Sequence, residues 1–140
     1  MYLLDTMVIS ETSKANPELA VLAWLNEAPL EYLYTSALCW GEVQFGIERL
    51  APGQRRSAMR NWFHHEIAAM FGARVLHFDG EIALIWGELR AQARRTMPML
   101  DTLIAATALA HGLTIVTRNI ADFEGLGVTL INPWSNDQTT

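Results

Sequence analysis

The chain has 140 residues, of which 51% are hydrophobic and 18% are charged, a size and balance that predict one compact globular unit. Its formal net charge of -5 argues, taken as a sum, against a nucleic-acid-binding surface. The one cysteine, Cys39, excludes an intrachain disulfide, and the lack of a long apolar run or a basic leader predicts a cytoplasmic protein that does not span a membrane.

Five short strands are predicted along the chain from runs of apolar and β-branched residues that end at a charge or a turn former. They are Tyr2 to Leu4, Tyr32 to Thr35, Arg74 to Phe78, Thr114 to Thr117 and Val128 to Ile131.

Helices are predicted between these strands from apolar residues at helical spacing and from capping residues. They are Pro17 to Asn26 with Asn16 as N-cap, a helix capped by Ser36 that runs to about Leu50, a helix from about Arg55 to Phe71, Gly80 to Arg95, and Asp101 to His111. Strands that alternate with helices indicate the α/β class. We therefore expect a short parallel sheet of about five strands flanked by helices, in a single domain over residues 1–140 with its core at about 1–133.

Four acidic residues are expected at the carboxyl end of this sheet, where open parallel sheets bind ligands. Asp5 directly follows the first strand, and Glu42 lies about one and a half turns into the helix after the second strand. Asp101 lies at a helix N-terminus, and Asp122 follows the fourth strand through the connection RNIAD. Carboxylates gathered in one cleft repel one another unless a cation neutralises them, and oxygen ligands suit magnesium or manganese.

Each acid also has a structural interpretation. Asp5 and Asp101 are of a type favoured as helix N-caps, Glu42 fits a solvated helix position, and Asp122 fits a turn. That interpretation weakens when all four are expected at one edge. Without their charges the formal balance of -5 becomes -1, so the acidic excess is concentrated in the candidate site.

The basic residues are nine arginines and one lysine, Lys14. Two groups are close in sequence: Arg49, Arg55, Arg56 and Arg60, and then Arg90, Arg94 and Arg95. Arginine forks suit phosphate groups, although pairing with glutamates on solvated helix faces explains most of these residues equally well. With a cation in the acidic pocket, an anionic phosphodiester can approach it, so metal-assisted phosphoryl hydrolysis is the leading prediction for the chemistry.

The segments that carry these acids also resemble a known family. YLLDTMVISE, GEVQFGIERL, DTLIAATALAHG and TIVTRNIADF are similar, in this order, to the four acidic motifs of PIN-domain ribonucleases, specifically the VapC-type toxins of bacterial toxin-antitoxin pairs. The resemblance extends from Met1 to about Pro133. The chain departs from many members at Met7, where they carry asparagine.

The resemblance implies a PIN-like endoribonuclease that depends on Mg²⁺ or Mn²⁺. The implied catalytic and metal-binding residues are Asp5, Glu42, Asp101 and Asp122. The implied supporting polar residues are Thr6, Thr117 and Asn119. The expected partners are an RNA substrate, often a transfer RNA, a cognate antitoxin protein that inhibits the enzyme, and a second copy of the chain in a homodimer or a dimer of dimers.

Three other protein classes share features with this sequence. A receiver-type signalling domain needs a lysine at the end of a late strand, and Lys14 is the only lysine. A haloacid-dehalogenase-like phosphatase needs an aspartate two residues after Asp5, where Met7 stands. A non-catalytic module that only sequesters RNA or a protein stays open, since fold does not fix function.

Overall fold

A six-stranded sheet forms the centre of the computed structural model, which describes residues 1–135 and 137–139. The strands are Tyr2–Leu4 (β1), Leu33–Ser36 (β2), Val75–Leu76 (β3), Thr114–Val116 (β4), Leu130–Asn132 (β5) and Asp137–Thr139 (β6). The first five are parallel, and β6 pairs antiparallel with β5. The predicted α/β class with a five-stranded parallel sheet is therefore confirmed. Asn136 and Thr140, which the predicted domain includes, lie outside the described residues.

The order of the strands creates a crevice at the centre of the sheet. Across the sheet the order is β3-β2-β1-β4-β5-β6, so the chain moves outward from β1 on one side and then returns to build the other side. The connections that follow β1 and β4 therefore leave the sheet in opposite directions. Ligands of open parallel sheets bind in the crevice at such a reversal, beyond the carboxyl ends of the strands.

Eight α-helical segments are present within the described residues. They are Thr6–Glu11 (α1), Leu19–Glu27 (α2), Ala37–Glu48 (α3), Gln54–Asn61 (α4), Ala68–Phe71 (α5), Gly80–Gln92 (α6), Met99–His111 (α7) and Ile120–Phe123 (α8). A 3-10 turn at Leu30–Tyr32 precedes β2, and a π-helical segment at Trp62–Ile67 joins α4 to α5. None of the helices in the described part of the chain is long and apolar enough to span a membrane.

The start of α2 differs from the prediction. Asn16 does not cap this helix and Pro17 does not begin it, because the helix begins at Leu19 after an extended Glu18. The backbone N–H of Glu18 donates instead to Glu11 Oε1 at 3.1 Å, which holds the chain outside the helix at this point.

Two other predicted helices have different ends. The helix predicted from Arg55 to Phe71 is interrupted by the π-helical segment, in which the backbone gains one residue per turn. The helix predicted to reach Arg95 ends at Gln92, because Ala93 is already extended with ψ 133°. The chain then runs as an irregular connection to α7.

The core forms where α7 lies against the sheet. Ala105 and Ala108 of α7 are fully buried, and their small side chains let the helix backbone approach the central strands closely. Leu3 of β1 and Ile115 of β4, which pair in register, are also fully buried. This contact fixes the N-terminal turn of α7, and with it Asp101, beside the crevice.

Candidate active site at the carboxyl end of the sheet

Asp5 lies at the floor of the crevice and is only 7% exposed. Its backbone N–H donates to Val116 O of β4 at 3.0 Å, so it continues the pairing of the central strands. Its Oδ1 accepts from the Thr6 N–H at 2.8 Å and caps α1, and its Oδ2 accepts from the Thr117 hydroxyl at 2.8 Å. The capping interpretation of Asp5 is thus correct for Oδ1, while Oδ2 is bound by Thr117, which directly follows β4.

The ionisation of Asp5 is opposed by its surroundings. Burial raises the pKa of this carboxyl above its usual range, and the negative charges of Asp122 and Glu42 raise it further. The hydrogen bonds from Thr117 and Thr6 lower the pKa but do not offset these effects. A bound cation would offset both the energetic cost of the buried charge and the repulsion between the carboxylates.

Asp101 lies in the first turn of α7 and is half-buried. Burial raises its pKa to about 6, and the charges of Asp5 and Asp122 contribute to the increase. The positive charge of Arg95 acts in the opposite direction. Asp101, in α7, is therefore within electrostatic range of Asp5 at the end of β1 and of Asp122 in α8.

Glu42 occupies a different environment from the three aspartates. It is exposed on α3, and its charge reaches Asp5. The solvated helix position considered for Glu42 in the sequence agrees with this exposure, because the helix turns the side chain toward solvent.

The oxygen donors of the site match the ligand preference of a divalent cation. All four acids offer carboxylate oxygens, which suit Mg²⁺ or Mn²⁺, and the hydroxyl oxygen of Thr6 is buried without a hydrogen-bond partner in the described structure. However, no three His, Cys, Asp or Glu side chains among residues 1–135 lie close enough together to hold a metal ion as they stand. The donor chemistry therefore fits the cation, but the acidic side chains lie farther apart than the ligands of a closed metal shell.

Of the three predicted supporting residues, Thr6 and Thr117 donate hydrogen bonds to Asp5, Thr6 through its backbone N–H, and Asn119 contacts Thr117. Thr117 is fully buried, and its Oγ1 also accepts from the Asn119 N–H at 3.1 Å. The Asn119 side-chain amide donates to Met7 Sδ at 3.8 Å. The thioether at position 7 is thus in contact with the loop after β4, at the place where the sequence departs from the family pattern.

Arg95 was not predicted as a site residue, yet it joins the site to the connection before α7. Its Nη2 donates to the carbonyl oxygens of Ala121, Asp122 and Glu124 at 2.9, 3.3 and 3.1 Å. These bonds anchor residues 93–98 to the C-terminal end of α8. The sequence signal was the arginine group at 90–95, but the expected helix placed Arg95 on a helix instead of in a connection.

Cys39 lies beneath the site in α3 and is fully buried. Burial and then the nearby charge of Asp5 raise the pKa of its thiol to about 12. The thiol is therefore neutral near pH 7, and it does not serve as a thiolate nucleophile or ligand.

Comparison with known proteins identifies the family of the chain. The model of the PIN domain matches residues 2–126. The chain is 41% identical over 137 residues to "VapC ribonuclease Y4jK" of Sinorhizobium fredii, covering 96% of this chain and 98% of that protein. It is 36% identical over 137 residues to "Toxin FitB" of Neisseria gonorrhoeae, covering 96% and 99%. A more distant relative, "tRNA(fMet)-specific endonuclease VapC" of Salmonella typhimurium, is 29% identical over 141 residues, covering 95% and 97%.

A solved structure agrees with these relatives. The crystal structure of FitAcB from Neisseria gonorrhoeae matches with a TM-score of 0.91 at 36% identity, covering 96% of this chain and 99% of that one. The family model spans most of the chain, and relatives above 30% identity span nearly all of it. The chain therefore belongs to the PIN-domain family.

Proposed function

We propose that this protein is an endoribonuclease that depends on Mg²⁺ or Mn²⁺ and acts as the toxin of a toxin-antitoxin pair in the cytoplasm. The observation that supports the proposal is the set of carboxylates at the strand-order reversal: the charge of Asp122 raises the pKa of both Asp5 and Asp101, and the charge of Asp5 raises the pKa of Asp101 further. Two relatives whose names include ribonuclease and toxin support the same reading.

In this proposal Asp5 and Asp101 are the first metal ligands, and Asp122 and Glu42 complete the shell. When bound, a divalent ion supplies a water of lowered pKa and neutralises charge on the phosphoryl oxygens. Thr117 holds Asp5 Oδ2 toward β4 and keeps this carboxylate in one orientation. Asp101 must lose its proton before it can act as a ligand, and near pH 7 its pKa of about 6 permits this.

The proposed function, a ribonuclease toxin, also suggests a substrate and partners. We propose RNA as the substrate, with transfer RNA as the first candidate because one relative is named for cleaving it. A cognate antitoxin protein is the proposed inhibitor, and an arginine that enters the acidic cleft would compete with the metal for the same charges. A homodimer or a dimer of dimers is the proposed assembly.

The test is cleavage of total RNA and of a transfer RNA panel by purified protein, with Mg²⁺ or with a chelator. Asp5→Asn and Asp101→Asn should each lower the rate by about a hundredfold or more, since the metal contributes several kcal/mol. The matched control is Glu66→Gln, which removes an exposed acid from the π-helical segment and should leave the rate unchanged. Full activity in both aspartate variants would refute the proposed mechanism.

A non-catalytic RNA-binding module is the second candidate. It is favoured by one observation, that no three acidic side chains in the described part of the chain lie close enough to hold an ion as they stand. The same incubation separates the two, because a module of this kind would retain RNA on a filter in Mg²⁺ and leave it intact.

A further inference from the structure

A cavity of about 240 Å³ opens between the end of α6 and the start of α7. Its lining residues are Arg90, Ala93, Arg95, Thr96, Met97 and Thr102. Thr102 directly follows Asp101 in α7, so the cavity adjoins the candidate active site. Two arginines line this cavity, and the proposed mechanism uses neither of them.

Arg90 is held in place at this cavity by an aromatic ring. Its Cζ lies 4.7 Å from the centroid of the Trp86 ring. Trp86 Nε1 donates to Thr102 Oγ1 at 3.0 Å, and Thr102 Oγ1 donates to Met99 O at 2.6 Å. This series of contacts fixes the guanidinium relative to the first turn of α7, which carries Asp101.

The guanidinium of Arg90 retains its donors. Within the residues that the structure describes, Arg90 makes the ring contact and no hydrogen bond or ion pair. A guanidinium that is already ordered on a ring loses less conformational entropy when it binds a phosphate, and its planar fork matches two phosphate oxygens.

Arg95 is the second arginine that lines the cavity. All three of its hydrogen bonds use Nη2 and go to backbone carbonyls, so Nε and Nη1 stay available and no carboxylate neutralises the charge. Its charge nevertheless reaches Asp101, whose pKa it lowers. Arg95 therefore lies within electrostatic range of the candidate active site and faces the cavity.

We infer that this cavity is a phosphate subsite for RNA, in which Arg90 and Arg95 hold a phosphodiester group that neighbours the one being cleaved. The inference rests on the proposed ribonuclease function and deepens it, because it identifies where the substrate backbone is held. An acidic protein segment is a less suitable occupant. The cavity is small and adjoins the acids, which repel an acidic segment but would attract, through a bound cation, the next phosphate of the same strand.

The test measures binding of a short fluorescein-labelled oligouridylate and of total transfer RNA to the full chain, in Ca²⁺ and in chelator, across a salt series. Arg90→Gln should weaken binding by roughly threefold to tenfold, because one charge-assisted contact is lost. The slope of log K against log salt should become shallower by about 0.7, the change expected for one phosphate contact on a single strand. Arg90→Lys, which keeps the charge but loses the flat ring contact, should fall between wild type and Arg90→Gln.

The matched control is Arg55→Gln, which removes an exposed arginine of α4 that does not line the cavity. This variant should keep the affinity and the slope of the wild type. A general loss of positive charge would lower both variants equally, so only a selective loss in Arg90→Gln supports the subsite.

A polyglutamate peptide, measured in the same way, represents an acidic protein segment. Three results would overturn the inference: an unchanged slope in Arg90→Gln, no RNA binding by the wild type, or a loss in Arg90→Gln of binding to polyglutamate but not to RNA. Failure of the proposed function would appear differently. If the wild type binds RNA through Arg90 but never cleaves it in Mg²⁺, the subsite stands and the nuclease proposal fails. If cleavage occurs and Arg90→Gln binds like the wild type, the nuclease proposal stands and the subsite fails.

Discussion

At the scale of single residues, burial distinguishes the four acids more clearly than their charge does. Asp5 is 7% exposed, and both of its oxygens are engaged by Thr6 and Thr117. Glu42 is exposed, and its effect on the site is electrostatic, through Asp5. The site thus has one fixed carboxylate at its floor, and the other acids are arranged around it.

The raised pKa of Asp101 predicts an unusual dependence of stability on pH. Its ordinary value is 3.8 and its value in the folded chain is about 6, so between these values the folded state binds more protons than the unfolded state. The free energy of unfolding of the metal-free protein should therefore fall as the pH rises from about 4 to above 6. Urea unfolding at a series of pH values measures this.

Asp101→Asn is the matched variant, because the amide keeps the shape of the side chain and cannot ionise. It should reduce the fall in stability, although the contribution of Asp5 remains because burial raises the pKa of that carboxyl too. Saturating Mn²⁺ should also remove the fall in the wild type, since the cation favours the ionised carboxylates. A fall of the same size in Asp101→Asn would contradict the assignment.

At the scale of elements, strands between clear boundaries were predictable and short helices were not. Strand β1 has its predicted bounds, Tyr2–Leu4, because an apolar run ends directly at Asp5. Helix α1 was not predicted, because its six residues, TMVISE, include β-branched side chains that disfavour a helix. Its N-cap, Asp5, is also equally consistent with the end of a strand. Helix α8, with four residues, is too short to show any period.

The rest of the site could not be predicted from the sequence, because it depends on contacts between distant parts of the chain. The four acids were predicted because parallel strand ends share one edge. Nothing in sequence spacing indicates that Arg95 reaches the carbonyl of Asp122, 27 residues away, or that Trp86 supports Arg90 next to α7. Such contacts depend on how α6 and α7 pack, which the sequence does not express locally.

Helices α1 and α2 are joined by one buried carboxylate, and this predicts unequal effects of two mutations. Glu11 is 5% exposed, and its Oε1 accepts from the Glu18 N–H while its Oε2 lies 2.7 Å from Lys14 Nζ. Glu11→Ala should cost about 1 to 3 kcal/mol, because a partly buried backbone donor is left unsatisfied. Lys14→Ala should cost less than about 1 kcal/mol, because the lysine side chain is 55% exposed.

Urea unfolding of the two variants checks this difference, and Glu11→Gln serves as the control. The glutamine oxygen can still accept from Glu18, so most of the stability should return without the charge. The ion pair with Lys14, the hydrogen bond from Glu18 and the charge of Arg118 lower the pKa of Glu11, so the charged contribution should be lost as the pH falls below the usual value of 4.5. Equal losses in the alanine variants would show that the ion pair, and not the backbone contact, joins the helices.

At the scale of the whole molecule, the four acids connect parts of the fold that are far apart in sequence. They belong to the end of β1, to α3, to α7 and to α8, and the sheet and its buried contacts with α7 bring these elements to one edge. An ion held among them would cross-link the folded chain and would have no equivalent site in the unfolded chain. Binding of this kind stabilises the folded state by mass action.

Thermal unfolding should therefore depend on divalent cations. At a hundredfold excess of Mn²⁺ over its dissociation constant, linkage adds about 2.7 kcal/mol, which in a chain of this size raises the Tm by on the order of 10 °C. Asp5→Asn should abolish the rise because it removes the central ligand, whereas Glu66→Gln, which removes an exposed acid outside the crevice, should keep it. A rise of equal size in Asp5→Asn would locate the cation elsewhere on the chain. No rise in the wild type would leave the repulsion among the acids to be relieved by protonation alone, and Asp101, with a pKa of about 6, would be the group that takes up the proton.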